Sequence, residues 1–312
     1  MANLGDMFGS AEAETFLGLP AAGDLSRLEA DIVILGAGCA TPYSSVGAYC
    51  ADGPRAIRAA SAGMDARLGH VNFDLGAPVF PKPVRVCDAG DLPQVEGDPS
   101  GNRSRIFGAV NRILDMGGCP VLLGGDDSVQ IPMLEAYGSR ERSLTILQID
   151  AHIDWRDTVE GENLGLSSTM RRASEMDHVD RMIQVGQRGT GTAGPAELAD
   201  ALNWGSVMVP AGEISRFGVG RALDAIPEGS DVVICLDFDG IDPSVMPSVL
   251  ARTSGGLNYW QVLELFAGAS EKGRIAGVGM VEMMPERDVD GMGARLAAEL
   301  LTSVLGLLAR QT

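Results

Sequence analysis

Acidic side chains follow four apolar segments of this sequence, and one histidine stands among them. They are Asp126 and Asp127 in GGDDS, Asp150, His152 and Asp154 in DAHID, Asp237 and Asp239 in LDFDG, and Glu282 in VEMMP. Carboxylates beside apolar strands are costly unless each is paired or binds a metal. Residues two apart on an extended strand share a face, as Asp237 and Asp239 would, and as the DAHID side chains would if their strand continues to residue 154. Two such clusters converging would repel unless divalent cations lay between them, so the pattern predicts a metal site.

Each aspartate taken alone has a second interpretation, because aspartate also caps helices and turns. We assign Asp126 and Asp242, the latter followed by Pro243, to such roles. Five independent caps would be needed to explain the two clusters in the same way, whereas a shared cation explains them together.

The segments that carry these residues alternate as an α/β fold requires. Apolar, β-rich runs predict strands at 31–36, 85–88, 120–124, 144–150, 182–187, 207–209, 231–238 and 275–282. Helical patterns lie at 54–64, 102–117, 128–137, 194–204, 258–270 and 291–310. The alternation predicts a parallel sheet covered by helices on both faces, with ligands beyond the carboxyl ends of its strands. No linker or repeat divides the chain, so we predict one domain over 1–312, with 1–28 as an N-terminal extension.

Composition excludes several classes of function. The 312 residues carry 24 Lys and Arg against 42 Asp and Glu, a formal charge of −18, which argues against nucleic-acid binding and is compatible with metals or cationic small molecules. The five cysteines form no CxxC pair, so neither a disulfide framework nor a structural zinc site is indicated. The first residues lack a signal-peptide pattern and the longest apolar segments carry charges, so we expect a cytoplasmic protein with no membrane span.

DAHID, LDFDGIDP and the VEMMP around Glu282 resemble the ureohydrolases, the family of arginase and agmatinase. The similarity extends through residues 36–61, CDAGDL at 87–92 and GGL at 255–257, and so covers almost the whole chain in order. It implies a three-layer α/β/α fold with an eight-stranded, mostly parallel sheet. It also implies a two-metal centre, hydrolysis of a guanidino compound to urea and an amine, and a homo-oligomer, trimer or hexamer.

The resemblance assigns roles to the acidic residues. It implies that one metal is held by Asp127, Asp150, Asp154 and Asp237, and the other by Asp150, His152, Asp237 and Asp239. Such oxygen-rich ligation suits Mn²⁺, with Ni²⁺ as the alternative. Glu282 would anchor the guanidinium through charge-assisted hydrogen bonds. Asp154 would orient the attacking water and relay its proton to the leaving nitrogen.

Three departures from the family pattern affect these assignments. Asp127 replaces the usual histidine of Gly-Gly-Asp-His-Ser. Leu166 occupies the position of a histidine that assists proton transfer or contacts substrate, if the alignment on Arg171 and Arg172 holds. The loop after Pro243 contains Arg252, for which a solvated loop arginine is the favoured interpretation; if it faced the pocket, it would favour a substrate with a carboxylate tail.

The three residues that follow the DAHID motif are further candidates to shape the pocket: Trp155, Arg156 and Asp157. Trp155 could equally be an ordinary packing residue. Proteins that share a metal-binding scaffold differ in the residues of the pocket. The sequence therefore indicates the type of reaction more firmly than it indicates the substrate.

We therefore expect a binuclear metal hydrolase acting on a small cationic guanidino compound, with agmatine as the first substrate and a guanidino acid such as 4-guanidinobutanoate or a small alkylguanidine as alternatives. The replacements at Asp127 and Leu166 leave open a catalytically impaired subunit of a heteromeric ureohydrolase. A formimino-hydrolase or a metal-dependent deacetylase on the same scaffold is a further alternative, but a one-metal deacetylase would not need both Asp237 and Asp239.

Overall fold

The computed structural model describes residues 14–22, 25 and 29–312. Its centre is a sheet of eight strands: β1 (Ile32–Ala37), β2 (Val86–Asp91), β3 (Cys119–Gly124), β4 (Leu144–Ile149), β5 (Val179–Val185), β6 (Val207–Val209), β7 (Asp231–Asp237) and β8 (Arg274–Val281). Their order in the sheet is β2-β1-β3-β8-β7-β4-β5-β6, and every pair is parallel. The predicted strands and the parallel sheet are confirmed.

Nine α-helices lie in the described part of the chain: α1 (Gly53–Ala60), α2 (Pro99–Asp115), α3 (Gln130–Glu135), α4 (Thr169–Ala173), α5 (Pro195–Trp204), α6 (Ala211–Phe217), α7 (Gly220–Asp224), α8 (Tyr259–Lys272) and α9 (Met292–Gln311). Apolar residues of α1 and α6–α9 pack with one face of the sheet, and those of α2–α5 pack with the other. The predicted three-layer α/β/α arrangement is therefore confirmed.

Both faces of the sheet are buried because successive strand residues point to opposite sides. In β1, Ile32 and Ile34 join one apolar cluster, while Val33 and Leu35 join the other. This explains the continuously apolar runs, which are typical of parallel strands covered on both faces. Helix α9 is long and apolar enough to span a membrane, but 83% of its most apolar window is buried in the protein, as in a core helix.

The helices differ from the predictions in two respects. The short helices α4, α6 and α7 were not predicted, since five to seven residues carry too little periodicity to detect. Helix α2 begins at Pro99 and not near residue 102, because the Asp98 side chain accepts a hydrogen bond from the Gly101 N–H (2.9 Å) and caps it.

Part of the predicted N-terminal extension packs on the domain. Phe16 and Leu17 are buried, and the Phe16 N–H donates to the Asp88 carboxylate (2.8 Å), which also pairs with the buried Arg58. Most of the segment 1–28 lies outside the described residues, and the division of the chain at residue 28 stays a prediction.

The sheet order brings the acidic motifs together. Strands β3, β8, β7 and β4 are consecutive neighbours, and each of the four acidic motifs follows the carboxyl end of one of them. In the register, Asp237 at the end of β7 lies opposite Val281, the residue before Glu282, and Leu236 lies opposite Ile149, the residue before Asp150. The site is therefore assembled at the carboxyl ends of the central strands, which is where parallel sheets bind ligands.

Candidate metal centre and substrate cavity

The DAHID side chains are grouped by a loop and not by a strand. Strand β4 ends at Ile149, close to the predicted end at residue 150, so the condition that it continues to residue 154 is not met. The His152 N–H donates to Asp150 Oδ1 (2.6 Å), and this tight turn folds the histidine ring back over the aspartate. Asp237 is the last residue of β7 and Asp239 lies in the following 3₁₀ turn, where its N–H donates to Asp237 Oδ1 (2.7 Å).

His152 lies between two carboxylates. Its Nδ1 is 3.2 Å from Asp150 Oδ1 and 3.1 Å from Asp239 Oδ2, and the potential ligand atoms of the three residues lie within 4.8 Å of one another. Burial disfavours the charged ring, but the hydrogen bonds and charges of Asp150 and Asp239 outweigh it and raise the pKa of His152 to about 11. The three residues thus offer one imidazole and two carboxylates at a spacing from which they could hold one metal ion.

Three other carboxylates of the site have raised pKa values. Burial, followed by the charge of Asp150, raises the pKa of Asp127 to about 8. Burial and neighbouring carboxylates likewise raise the pKa of Asp154 and of Asp237 well above the usual range. Carboxylates crowded in this way are stabilised by a cation that they share.

Asp127 carries an orphaned buried atom. Its Oδ1 accepts a short hydrogen bond from Gln130 Nε2, whereas Oδ2 is buried with no hydrogen-bond partner among the described residues. A buried carboxylate oxygen without a partner is costly. Oδ2 is thus available to a metal, and the donor set of the site, carboxylate oxygens with one imidazole, fits the predicted divalent ions.

Asp154 and Glu282 share an unusual backbone conformation. Their φ angles are 45° and 70°, in the left-handed region that costs a non-glycine residue roughly 1–2 kcal/mol. Strain of this kind persists where surrounding contacts enforce it, and it is frequent at functional sites. Both side chains line the same cavity.

Glu282 is held by contacts that sequence reasoning missed. Tyr49 Oη donates to Glu282 Oε2 (2.6 Å), and the Asp127 N–H donates to Oε1 (2.8 Å). Burial, followed by the charge of Asp126, nevertheless raises the pKa of Glu282 well above its usual range. Tyr49 lies 233 positions away and has no local chemical signature, so only the fold reveals this pair.

A cavity of about 330 Å³ opens above these residues. Of the predicted metal ligands and substrate anchors, it is lined by Asp127, His152, Asp154, Asp237, Asp239 and Glu282. Asp150 is fully buried beneath them. The predicted ligands are therefore brought together, while their binding of metal stays a prediction.

The outer cavity contains both polar and apolar groups. Arg156 lines it, is exposed, and forms no side-chain ion pair among the described residues. Glu160 accepts hydrogen bonds from Ser44 Oγ (2.8 Å) and the Ser45 N–H (3.1 Å), and Glu197 from the Gly194 N–H (2.6 Å). Leu166, at the position of the family histidine, presents an apolar side chain to the same cavity.

The other candidates for substrate binding have structural contacts. Trp155 lies in the cavity wall but is 2% exposed; its Nε1 donates to Asp200 (2.8 Å) and its ring contacts Trp204 edge-on. Arg252 does not line the cavity, because its guanidinium donates to the carbonyls of Pro247 and Arg287 (both 2.7 Å). The only cationic side chain among the described lining residues besides His152 is therefore Arg156 and not Arg252.

Comparison with known proteins agrees with this geometry. A model of the arginase family matches residues 30–306. The guanidinobutyrase of Pseudomonas aeruginosa is 31% identical over 82% of this chain and 80% of that protein, and the mitochondrial agmatinase of Gallus gallus is 31% identical over 82% and 75%. Among solved structures, the proclavaminate amidino hydrolase of Streptomyces clavuligerus superposes with a TM-score of 0.84 at 26% identity, covering 97% of this chain and 99% of that one.

Proposed function

Because the chain belongs to the arginase family, whose members are hydrolases of amidino C–N bonds, we propose that it cleaves a small guanidino compound to urea and an amine at a two-metal centre. One observation carries the proposal: the acidic cluster and Glu282 converge on a single cavity. The cluster would hold the metals, and Glu282 would hold the cationic group that reacts.

The metal ligands we propose are those that the motifs imply, with Asp150 and Asp237 contributing to both ions. One ion would be held by Asp127, Asp150, Asp154 and Asp237, and the other by Asp150, His152, Asp237 and Asp239. When bound, two such ions lower the pKa of water sufficiently to supply a nucleophile at neutral pH. The orphaned Asp127 Oδ2 and the His152 contacts support this assignment.

The protein's own residues would orient the substrate. Oε1 of the Glu282 carboxylate accepts one hydrogen bond, from the Asp127 N–H, and retains a lone pair for an N–H group of a planar guanidinium. Oε2 accepts from Tyr49 Oη and, over a longer distance of 3.9 Å, from Cys50 Sγ. Fixing the guanidinium in one orientation lowers the entropic cost of attack at its carbon. Leu166 has no proton to give, so we assign proton transfer to the leaving nitrogen to Asp154.

An agmatine-like substrate is our first choice, because the outer cavity carries two carboxylates, Glu160 and Glu197, against one guanidinium. Arg156 favours a second candidate, a guanidino acid whose carboxylate would pair with that arginine.

We also propose that Mn²⁺ is the native metal, with Ni²⁺ as the alternative, and that the protein is a cytoplasmic homo-oligomer.

A substrate panel tests this function. The protein is loaded with Mn²⁺, and separately with Ni²⁺, and urea release is measured with agmatine, 4-guanidinobutanoate and butylguanidine, whose tails are cationic, anionic and neutral. We expect urea from at least one of them. No urea at any metal loading would refute the proposal and favour the impaired-subunit alternative, whereas formamide from a formimino compound would indicate a formimino-hydrolase.

A further inference from the structure

Two glutamines lie beneath the acidic cluster on adjacent strands. Gln148 of β4 and Gln184 of β5 are register partners, and they are 1% and 0% exposed. Every other residue of β4 except Thr145 is apolar. A buried amide is costly unless its polar atoms find partners, so these two side chains require an explanation.

The two amides form one hydrogen-bonded chain that ends on the site. Ser206 Oγ donates to Gln184 Oε1 (2.8 Å), and Gln184 Nε2 donates to Gln148 Oε1 (2.6 Å). Gln148 Nε2 then donates to Asp150 Oδ2 and to Asp154 Oδ2, both at 2.7 Å. The two hydrogens of one amide nitrogen thus hold together two carboxylates that would otherwise repel each other.

The direction of this chain follows from its end points. An ionised carboxylate only accepts hydrogen bonds, so the NH₂ group of Gln148 must face the aspartates. Gln184 Nε2 also donates to the Ile153 carbonyl (2.8 Å), which again can only accept. Both amides are therefore fixed in orientation, and their polar atoms are all satisfied.

The second hydrogen bond that Gln184 Nε2 donates is to the backbone beside Asp154. Ile153 immediately precedes Asp154, whose left-handed φ of 45° needs support. The Ile153 carbonyl is held by Gln184, and the Asp154 carbonyl accepts from the Arg171 N–H (3.0 Å). Gln184 thus restrains Asp154 twice, through the peptide before it and, by way of Gln148, through its carboxylate.

We propose that Gln148 and Gln184 are positioning residues that fix the Asp154 carboxylate against Asp150, in the strained conformation in which both can bind the same metal ion. The inference rests on the proposed function, because it takes Asp154 to be a metal ligand. Neither glutamine is among the described residues that line the cavity.

The test compares Gln148→Met and Gln184→Met with a matched control. Methionine keeps the length and burial of glutamine but cannot donate to the carboxylates or the carbonyl. Gln187→Met is the control, because Gln187 lies just after β5 and its amide atoms are buried with no hydrogen-bond partner among the described residues. Metal content and Mn²⁺ dissociation constants are measured by elemental analysis and chelator competition, alongside kcat and KM.

We expect Gln148→Met and Gln184→Met to weaken chiefly the Mn²⁺ site that Asp154 and Asp150 share, by about 10- to 100-fold, as the loss of hydrogen bonds to metal ligands typically does. The kcat should fall, KM should stay within about twofold because Glu282 is untouched, and excess Mn²⁺ should restore part of the activity. Gln184→Met should weaken binding further in the Gln148→Met background, since it also releases Ile153. Unchanged Mn²⁺ affinity in both variants, or an equal loss in Gln187→Met, would overturn the proposal.

If the methionine variants do not fold, Ser206→Ala provides a milder test, since it removes only the first donor of the chain. A weaker shift of Mn²⁺ affinity in the same direction supports the proposal, and no shift contradicts it. The affinity measurement needs no substrate. A parent protein that binds two metals but releases no urea would therefore refute the proposed reaction without affecting this inference.

Discussion

The carboxylate of Glu282 accepts a hydrogen bond from the backbone N–H of Asp127, with 2.8 Å between N and Oε1. The proposed guanidinium anchor is thus tied to the peptide of a proposed metal ligand, at the ends of the neighbouring strands β8 and β3. Since both side chains line the same cavity, this bond fixes the distance at which a substrate held by Glu282 would lie from the metals.

Glu282→Gln should abolish most turnover and leave metal binding intact. The amide loses the negative charge that pairs with guanidinium, although its oxygen can still accept from the Asp127 N–H while its NH₂ group donates to Tyr49 Oη, which can also accept. We expect kcat/KM to fall by about 100-fold or more, with metal content by elemental analysis unchanged. Glu286→Gln, an exposed neighbour, is the control. Loss of metal in Glu282→Gln would instead make Glu282 part of the metal site.

Tyr49→Phe should have a smaller effect of the same kind. It removes the hydrogen bond to Glu282 Oε2 but keeps the ring and the charge of the carboxylate. We expect kcat/KM to fall by about tenfold, the value of one charge-assisted hydrogen bond. Steady-state kinetics with the best substrate of the panel measure it, and full activity would show that Glu282 is positioned without the Tyr49 hydroxyl.

Asp127 and Asp237 should differ in how many metals depend on them. Asp127 is assigned to one ion and Asp237 to both, so Asp127→Ala should lower the content to about one metal per chain and Asp237→Ala to less than one. Two tightly bound metals in purified Asp127→Ala would contradict the assignment.

Asp127→His tests whether the usual family ligand fits here. Because the nearby Gln130 donates to Asp127, we expect the histidine variant to bind metal more weakly than the parent.

The strands and the convergence of the acidic motifs were predictable, because both follow from local patterns and from the geometry of parallel sheets. The contacts that hold the site were harder to predict. Tyr49 reaches Glu282 through the tertiary fold alone, and Arg252 donates to loop carbonyls that no pattern identifies. Gln148 and Gln184 could have been noticed, because a glutamine within a doubly covered strand must have a buried partner.

Arg156→Met should change which substrate tail is preferred. If the natural substrate is a guanidino acid, removing the guanidinium should raise KM for 4-guanidinobutanoate by about tenfold and leave butylguanidine unaffected. For agmatine, the loss of a like charge should lower KM. Kinetics with the three substrates decide between these outcomes. Equal effects on all three would mean that Arg156 contacts no tail.

Asp242 should stabilise the protein in a pH-dependent way. Its carboxylate accepts from the N–H groups of Ser244 (3.0 Å), Gly255 (2.7 Å) and Gly256 (3.0 Å), tying together both ends of the loop that follows Pro243. Burial would raise its pKa, but these hydrogen bonds lower the pKa of Asp242 to about 2. An unfolded aspartate has a pKa of about 3.9, so this stabilisation is present above that pH and is lost as the pH falls towards 2.

Asp242→Asn should therefore lower the free energy of unfolding by about 1 kcal/mol near neutral pH and by less at pH of roughly 3, where the parent carboxylate begins to lose its advantage. Thermal unfolding of the chelator-treated protein at both pH values measures this without a contribution from metal loss. Asp180→Asn, at an exposed position of β5, is the control and should shift both melting temperatures equally. A gap between Asp242→Asn and the parent that widens as the pH falls would have the wrong sign for a depressed pKa, and would mean that the loop does not depend on this carboxylate.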